Sequence, residues 1–202
     1  MKKIAIFASG RGSNFSAIAQ AVKKGSLKVK LALLVCDNPQ APVLSKARKL
    51  KIKTVLVKRG DFDSKKDFEK EITRYLKEEK IDLVIMAGFM RMLTPYFVRA
   101  YKNRIINIHP ALLPAFKGAH AIKDAFDYGV KVTGVTVHFV DEEMDHGAII
   151  LQKEAEIKEN DTLVSLEAKI HKVEHLLYPE AIKLLTLGKV KLQGRRVSFR
   201  GR

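Results

Sequence analysis

The chain has 202 residues, and 47% of them are hydrophobic, a fraction that is ordinary for a globular protein and too high for a disordered one. Its single cysteine, Cys36, cannot pair within the chain, which excludes a disulfide scaffold and favours a reducing compartment. No segment approaches the ~18 uninterrupted apolar residues of a membrane span, and the apolar run at the N-terminus is too short for a signal peptide. We therefore expect a cytoplasmic protein without a membrane partner.

The formal net charge is +16, from 38 Lys and Arg against 22 Asp and Glu. Such an excess favours anionic partners, and phosphorylated small molecules fit this expectation as well as nucleic acids do. Part of the excess lies in residues 189–202, which contain no acidic residue. This tail lacks the interleaved aromatic side chains of a single-strand binder, which argues against a nucleic-acid partner. The charge and the tail keep a nucleic-acid-binding module open as an alternative.

The first half of the chain alternates between predicted strands and predicted helices. The strands are expected over residues 3–8, 29–35, 53–57, 81–87 and 104–108, and the helices over 14–24, 41–50, 64–79 and 94–101. Ser13 is the predicted N-cap of the first helix, and Ser64 with Asp67 forms a capping box at the third. Alternation of this kind predicts a parallel sheet with right-handed crossovers.

The second half of the chain changes character. It is expected to contain a loop over 107–120, a helix over 121–128, two antiparallel strands over 131–140 and 148–157, and a long helix from Asp161 or Thr162 to Leu187. Pro179 is expected to kink or split that helix. The order predicts an α/β fold: a Rossmann-like, mostly parallel sheet flanked by helices, with antiparallel strands in the C-terminal half. We expect one domain over 1–202, with halves 1–101 and 102–188 and the basic tail 189–202.

Ligands of open parallel sheets bind at the carboxyl ends of the strands, and the first loop there contains Gly10 and Gly12. Glycines let the backbone approach an anion, and the following helix offers unpaired N–H groups, so a phosphate site is expected. A dinucleotide fingerprint fits less well, because Phe15 stands where the third glycine would be. Asp37, near the end of the second strand, keeps a nicotinamide-dependent oxidoreductase open as an alternative.

The loop over residues 87–93 follows the most apolar strand and combines Gly88 with large, flexible apolar side chains. Such a loop can line a pocket for a flat apolar ligand. Ordinary core packing at the end of a strand explains the same residues equally well. The pattern alone leaves both interpretations open.

Asn107 and His109 are two apart on the fifth strand, so their side chains point the same way. An amide donor beside an imidazole can stabilise an oxyanion and move a proton. Asp145, in an acidic turn, can orient that imidazole and favour its charged form. The six histidines form no zinc pattern with Cys36, so no metal is expected.

Taken together, these loops resemble the folate-dependent glycinamide ribonucleotide formyltransferases of purine synthesis. The resemblance extends from Ile4 to about Leu192, with its motifs in the family's order and spacing. The most specific segments are Gly10-Arg11-Gly12-Ser13-Asn14, Ala87-Gly88-Phe89-Met90-Arg91-Met92-Leu93, Asn107-Ile108-His109-Pro110-Ala111-Leu112-Leu113-Pro114, Val137-His138-Phe139-Val140 and Met144-Asp145-x-Gly147. His146, where glycine is common, and the basic tail depart from the family pattern.

The resemblance implies transfer of a formyl group from 10-formyltetrahydrofolate, a co-substrate, to the amine of phosphoribosyl glycinamide. Asn107 and protonated His109 would stabilise the tetrahedral oxyanion, and Asp145 would support His109. No metal and no covalent enzyme intermediate are required. A formyltetrahydrofolate hydrolase or another folate-dependent formyltransferase stays the alternative, and the choice between a monomer and a homodimer stays open.

The resemblance also assigns binding residues. Residues 1–101 become the nucleotide-phosphate-binding half and residues 102–188 the catalytic and folate-binding half. The backbone of Gly12, Ser13 and Asn14 is expected to bind the substrate phosphate, and Glu174 the ribose hydroxyls. Lys65 is expected to bind the acidic tail of the folate, at a position where many members have arginine. The remaining folate contacts fall to Met90, Arg91, Met92, Leu93, Asn107, Val140, Asp141 and Met144. A cis peptide between Leu113 and Pro114 and a contact between His120 and Asp145 are also implied.

Overall fold

The computed structural model describes residues 1–200 and has the expected alternation of strands and helices. The strands are β1 (Lys3–Phe7), β2 (Lys30–Cys36), β3 (Thr54–Leu56), β4 (Leu83–Met86), β5 (Ile105–His109), β6 (Val132–Phe139), β7 (Ile149–Glu156), β8 (Val190–Gln193) and β9 (Arg196–Phe199). The helices are α1 (Ser13–Lys23), α2 (Val43–Lys49), α3 (Lys65–Glu78), α4 (Pro95–Ala100), α5 (Ala121–Tyr128) and α6 (Leu163–Thr186), with a short 3₁₀ turn over Arg59–Asp61.

Seven strands form one sheet in the order β3-β2-β1-β4-β5-β6-β7. β1 pairs in parallel with β2 and β4, β2 pairs in parallel with β3, and β6 pairs antiparallel with β7. The predicted fold class, a mostly parallel sheet with antiparallel strands late in the chain, is therefore confirmed. The chain forms two compact units, Met1–Ile106 and a second that begins at Asn107. The single-domain interpretation stays a prediction.

The core of the first unit is the central strand β1, whose residues from Ile4 to Phe7 are completely buried. Strands β2 and β4 on either side are also apolar, as expected for strands covered on both faces. The predicted cap of α3 is present, because the Ser64 hydroxyl accepts the Asp67 amide hydrogen at 3.0 Å. The predicted cap of α1 is wrong. Gly12 is the N-cap, with φ 68° in the left-handed region that glycine adopts readily, and Ser13 is the first helical residue.

In the second unit, α6 is the longest helix, and it is a continuous element of 24 residues. It starts with a reciprocal capping box, in which the Thr162 hydroxyl accepts from the Ser165 amide and the Ser165 hydroxyl accepts from the Thr162 amide. The expectation that Pro179 splits this helix is wrong. A proline removes one helical hydrogen bond, and burial of Tyr178 and Ala181 beside it favours the helical path.

The basic tail, to which the sequence assigned no structure, forms an antiparallel hairpin of β8 and β9. Gly194 in its turn has φ 59°, the conformation that a tight two-residue hairpin turn requires. Strand β9 packs against β7. Within the described residues, no helix combines the length and apolarity needed to cross a membrane.

Candidate active site

His109 and Asp145 meet in the second unit, as the sequence predicts. His109 is the last residue of β5 and is only 3% exposed, and its Nδ1 lies 3.4 Å from Oδ2 of Asp145. The other ring nitrogen, Nε2, lies 2.8 Å from the carbonyl oxygen of Phe116. A carbonyl oxygen only accepts, so Nε2 carries a hydrogen and donates it. The carboxylate of Asp145 and the carbonyl of Phe116 therefore contact the two ring nitrogens from opposite ends and fix the orientation of the ring.

The backbone of Asp145 is in the left-handed region, with φ 48°, which a non-glycine residue adopts only where its surroundings hold it. Its Oδ2 accepts the amide hydrogen of Gly118 at 2.9 Å. Gly147 follows closely, and a Cβ there would lie 1.8 Å from the carbonyl oxygen of Phe139, so only glycine fits. The predicted contact of His120 with Asp145 is wrong, because the same loop supplies the Gly118 amide instead and His120 precedes α5 as its N-cap.

His138 completes the cluster, and it was not among the site residues predicted from the sequence. Its Nδ1 donates to the carbonyl oxygen of Phe139 at 2.7 Å, which leaves Nε2 to accept from Nδ2 of Asn107 at 3.3 Å. Burial lowers the pKa of His138 and outweighs the opposing effects of the Phe139 carbonyl and Asp145. A neutral His138 therefore orients the Asn107 amide. One hydrogen on Nδ2 points at His138, and this fixes the direction of the second hydrogen. The sequence feature that could have identified His138 is a histidine within a predicted apolar strand.

The glycine loop of the first unit lies at the start of α1. The hydroxyl and the amide of Ser16 both donate to the Gly12 carbonyl oxygen, at 3.0 and 3.1 Å. No side chain caps the helix, since the N-cap is glycine, and the positive end of the helix dipole lies at this loop. The loop is braced from α2, because a Cβ on Gly12 would lie 2.5 Å from Cγ2 of Val43. Asn14, in the first helical turn, is buried.

Asp37 is the residue that kept a nicotinamide-dependent oxidoreductase open as an alternative, and its carboxylate forms hydrogen bonds within the protein. Its Oδ1 accepts from the Ser9 hydroxyl at 2.6 Å, and its Oδ2 accepts from Nε of Arg91 at 2.5 Å. The Ser9 hydroxyl also accepts the Met90 amide hydrogen at 3.2 Å. Both carboxylate oxygens thus fix the loop after β4 instead of facing outward for a ribose.

That loop, residues 89–93, lines a cavity of about 250 Å³ in the first unit. The other lining residues are Arg59, Lys65, Phe68 and Glu69. Glu69 is buried and accepts hydrogen bonds from the amide and the hydroxyl of Thr94, which follows the loop. The cavity therefore combines apolar walls with the cationic side chains of Arg59, Lys65 and Arg91.

The other predicted binding residues lie in the second unit. Glu174, on α6, is 5% exposed, and its carboxylate accepts from Nδ1 of His171 at 2.9 Å. Asp141 accepts from Nδ1 of His146 at 2.7 Å, Val140 is half-buried, and the Met144 side chain is exposed. The peptide between Leu113 and Pro114 is cis, as expected. Within residues 1–200 no group of three or more His, Cys, Asp or Glu side chains is arranged to hold a metal ion.

The sequence matches the formyl transferase family over residues 2–182. The phosphoribosylglycinamide formyltransferase of Bacillus subtilis is 48% identical over 92% of this chain and 95% of its own length. The crystal structure of glycinamide ribonucleotide transformylase 1 from Symbiobacterium toebii is similar with a TM-score of 0.96 and 38% identity, over 98% of this chain and 94% of that one. For phosphoribosylglycinamide formyltransferase from Bacillus halodurans, the TM-score is 0.89 and the identity 48%, over 91% and 95%.

Proposed function

The chain belongs to the formyl transferase family, and from that premise we propose that it is a phosphoribosylglycinamide formyltransferase of purine biosynthesis. It transfers the formyl group of 10-formyltetrahydrofolate to the primary amine of phosphoribosyl glycinamide. The observation that carries the assignment of its catalytic centre is the contact between two almost buried groups, His109 and Asp145, beside the amide of Asn107.

His109 acts in this proposal as the charged group and general acid. Attack of the amine on the formyl carbon creates an oxyanion, and an imidazolium next to it lowers the energy of that negative charge. The amine must lose a proton and the departing folate nitrogen must gain one, and an imidazole can carry such a proton directly or through water. Asp145 orients the imidazole through the 3.4 Å contact with Nδ1. For Nε2 to face the substrate, its hydrogen bond to Phe116 must open.

Asn107 acts as the neutral oxyanion donor. One of the two hydrogens on its Nδ2 points at Nε2 of His138, which holds the amide in one orientation. The second hydrogen then serves the formyl oxygen without any reorganisation at the moment of reaction. Loss of such a preorganised donor typically lowers turnover about 10²–10³-fold.

The amides of Gly12, Ser13 and Asn14 hold the substrate phosphate in this proposal. The support is the uncapped start of α1, where the positive end of the helix dipole favours an anion. Glu174 is assigned to the ribose hydroxyls in this proposal, because a carboxylate accepts hydrogen bonds from hydroxyl groups.

The folate is assigned to the cavity that residues 89–93 line in the first unit. In the second unit, Val140, Asp141 and Met144 are assigned as further folate contacts. The apolar part of that cavity suits a flat ring, and Lys65 and Arg91 give it positive charge that suits an acidic tail. Lysine is a point charge, so it binds a carboxylate without the two-pronged geometry that arginine offers. We place the enzyme in the cytoplasm, in keeping with its single, buried and unpaired cysteine.

The test is an assay of the purified full chain with 10-formyltetrahydrofolate and a panel of acceptors that includes phosphoribosyl glycinamide, glycinamide, other primary amines and water. The proposal predicts formylation of phosphoribosyl glycinamide, little turnover of glycinamide without its phosphate, and slow release of formate. Formate release equal with and without an amine would instead identify a hydrolase. Faster transfer to a different amine would overturn the assigned acceptor.

A further inference from the structure

The loop between β6 and β7, residues 140–148, contains Asp145, and side-chain contacts fix its conformation. Asp145 has φ 48°, and this conformation needs support from neighbouring residues. The next residue, His146, is fixed on one side because its Nδ1 lies 2.7 Å from Oδ2 of Asp141. Asp141 also accepts the Glu143 amide hydrogen at 3.1 Å, so it closes the first half of the loop.

Arg195, from the turn of the C-terminal hairpin, fixes His146 on the other side. Its Nη2 donates to the carbonyl oxygen of His146 at 2.6 Å, and its Nη1 lies 2.9 Å from Nε2 of the same ring. The same Nη1 also lies 3.2 Å from Nδ1, so this guanidinium nitrogen contacts the His146 ring at both of its nitrogens, while Nδ1 keeps its hydrogen bond to Asp141. One planar side chain thus holds both the backbone and the ring of the residue next to Asp145.

The hairpin that carries Arg195 is itself anchored in the second unit. Gln193 pairs with Arg196 across the turn, and Gly194 with φ 59° sets the direction in which Arg195 leaves it. Strand β9 packs against β7, which is the strand that directly follows the loop. Arg195 is therefore presented to the loop from a regular element of structure and not from a free chain end.

We propose that Arg195 is a positioning residue, which keeps the Asp145 carboxylate on His109 by clamping His146. With its carbonyl and its ring both held, His146 and the peptide that follows it are fixed in place, and this restrains the neighbouring Asp145 from leaving its left-handed conformation. The clamp uses the two features that depart from the family pattern, His146 and the basic tail. This inference rests on the proposed role of Asp145.

Steady-state kinetics of the full chain test the clamp through Arg195→Ala, Arg195→Lys and the control Arg196→Ala, which removes the next arginine, the first residue of β9. A displaced carboxylate no longer holds the His109 ring in its orientation, so Arg195→Ala is expected to lower kcat about tenfold and to leave both KM values within about twofold. Arg195→Lys keeps the charge but cannot hold ring and carbonyl together, so its kcat is expected to fall in between. Arg196→Ala is expected to match the wild type.

Two further readouts separate positioning from mere stability. In an Asp145→Asn background, Arg195→Ala is expected to cause no additional loss of kcat, because the clamp has nothing left to position. Hydrogen exchange of the amides in residues 140–148 is expected to accelerate in Arg195→Ala and Arg195→Lys, and not in Arg196→Ala. Equal losses of kcat with and without Asp145, or unchanged exchange in the loop, would overturn the clamp while the proposed function stands. An Asp145→Asn variant with full kcat would overturn the role of Asp145, and the clamp with it.

Discussion

The proposed catalytic cluster of the second unit and the proposed phosphate loop of the first are built from different kinds of atoms. The cluster consists of side chains on β5, β6 and the loop after β6, and each is oriented by a neighbour, as His138 orients Asn107. The phosphate loop offers backbone amides, and it has no room for a side chain at Gly12. The comparison shows that chemistry that moves protons needs titratable side chains, whereas binding of a constant charge needs only a shaped backbone.

Single substitutions in the two regions are expected to change different kinetic constants. His109→Ala is expected to lower kcat by about 10²–10⁴-fold, because it removes the general acid and the positive charge at the oxyanion. Both KM values are expected to change little, since the phosphate loop and the folate cavity are intact. Steady-state kinetics with each substrate varied in turn measure this split. A large rise in KM at unchanged kcat would assign His109 to binding.

In the phosphate loop the opposite split is expected. Gly12→Val introduces a Cβ 2.5 Å from Cγ2 of Val43, at a backbone φ of 68° that valine tolerates poorly. The KM for phosphoribosyl glycinamide is expected to rise tenfold or more, because about one strong hydrogen bond to the phosphate is lost. The KM for the folate is expected to stay nearly constant. Gly10→Ala is the matched control, because nothing lies within 4 Å of a Cβ there. Equal increases for both substrates would show that the loop does not hold the phosphate.

The smallest expected effect concerns His138 and pH. Burial lowers the pKa of His138 in the folded protein, so the unfolded chain, with a histidine pKa near 6.5, takes up a proton at higher pH. The contribution of His138 to the free energy of unfolding is therefore complete above about pH 6.5 and is lost as the pH falls below it. Urea unfolding between pH 7.5 and 5 is expected to show a shallower pH dependence in His138→Gln, and no such change in the exposed control His120→Gln. Parallel pH profiles for all three proteins would contradict this.

The backbone-built site was the easier of the two to predict from the sequence. Gly10 and Gly12 directly after a strand predicted an anion loop from local chemistry alone, although glycine and not Ser13 turned out to be the cap of α1. The alternation of strands and helices likewise predicted the sheet, because periodicity is a local signal. For the cluster, Asn107 and His109 were predictable from their spacing on one strand.

The parts that were missed depend on contacts between distant segments. His138 joins the cluster only because β6 places it beside Asn107, and no local pattern encodes that register. The hairpin of the tail alternates between apolar and polar residues around Gly194, but the many charges hid that signal. Burial around Pro179 overrode the local preference of proline to end a helix.

The coupling of His109 with Asp145 is tested most directly by turnover of four proteins: wild type, His109→Ala, Asp145→Asn and the double variant. If Asp145 acts only through the imidazole, Asp145→Asn lowers kcat when His109 is present and has almost no effect when it is absent. The account predicts that the double variant stays within about threefold of His109→Ala. Losses that multiply in the double variant would contradict it, because the two side chains would then act independently.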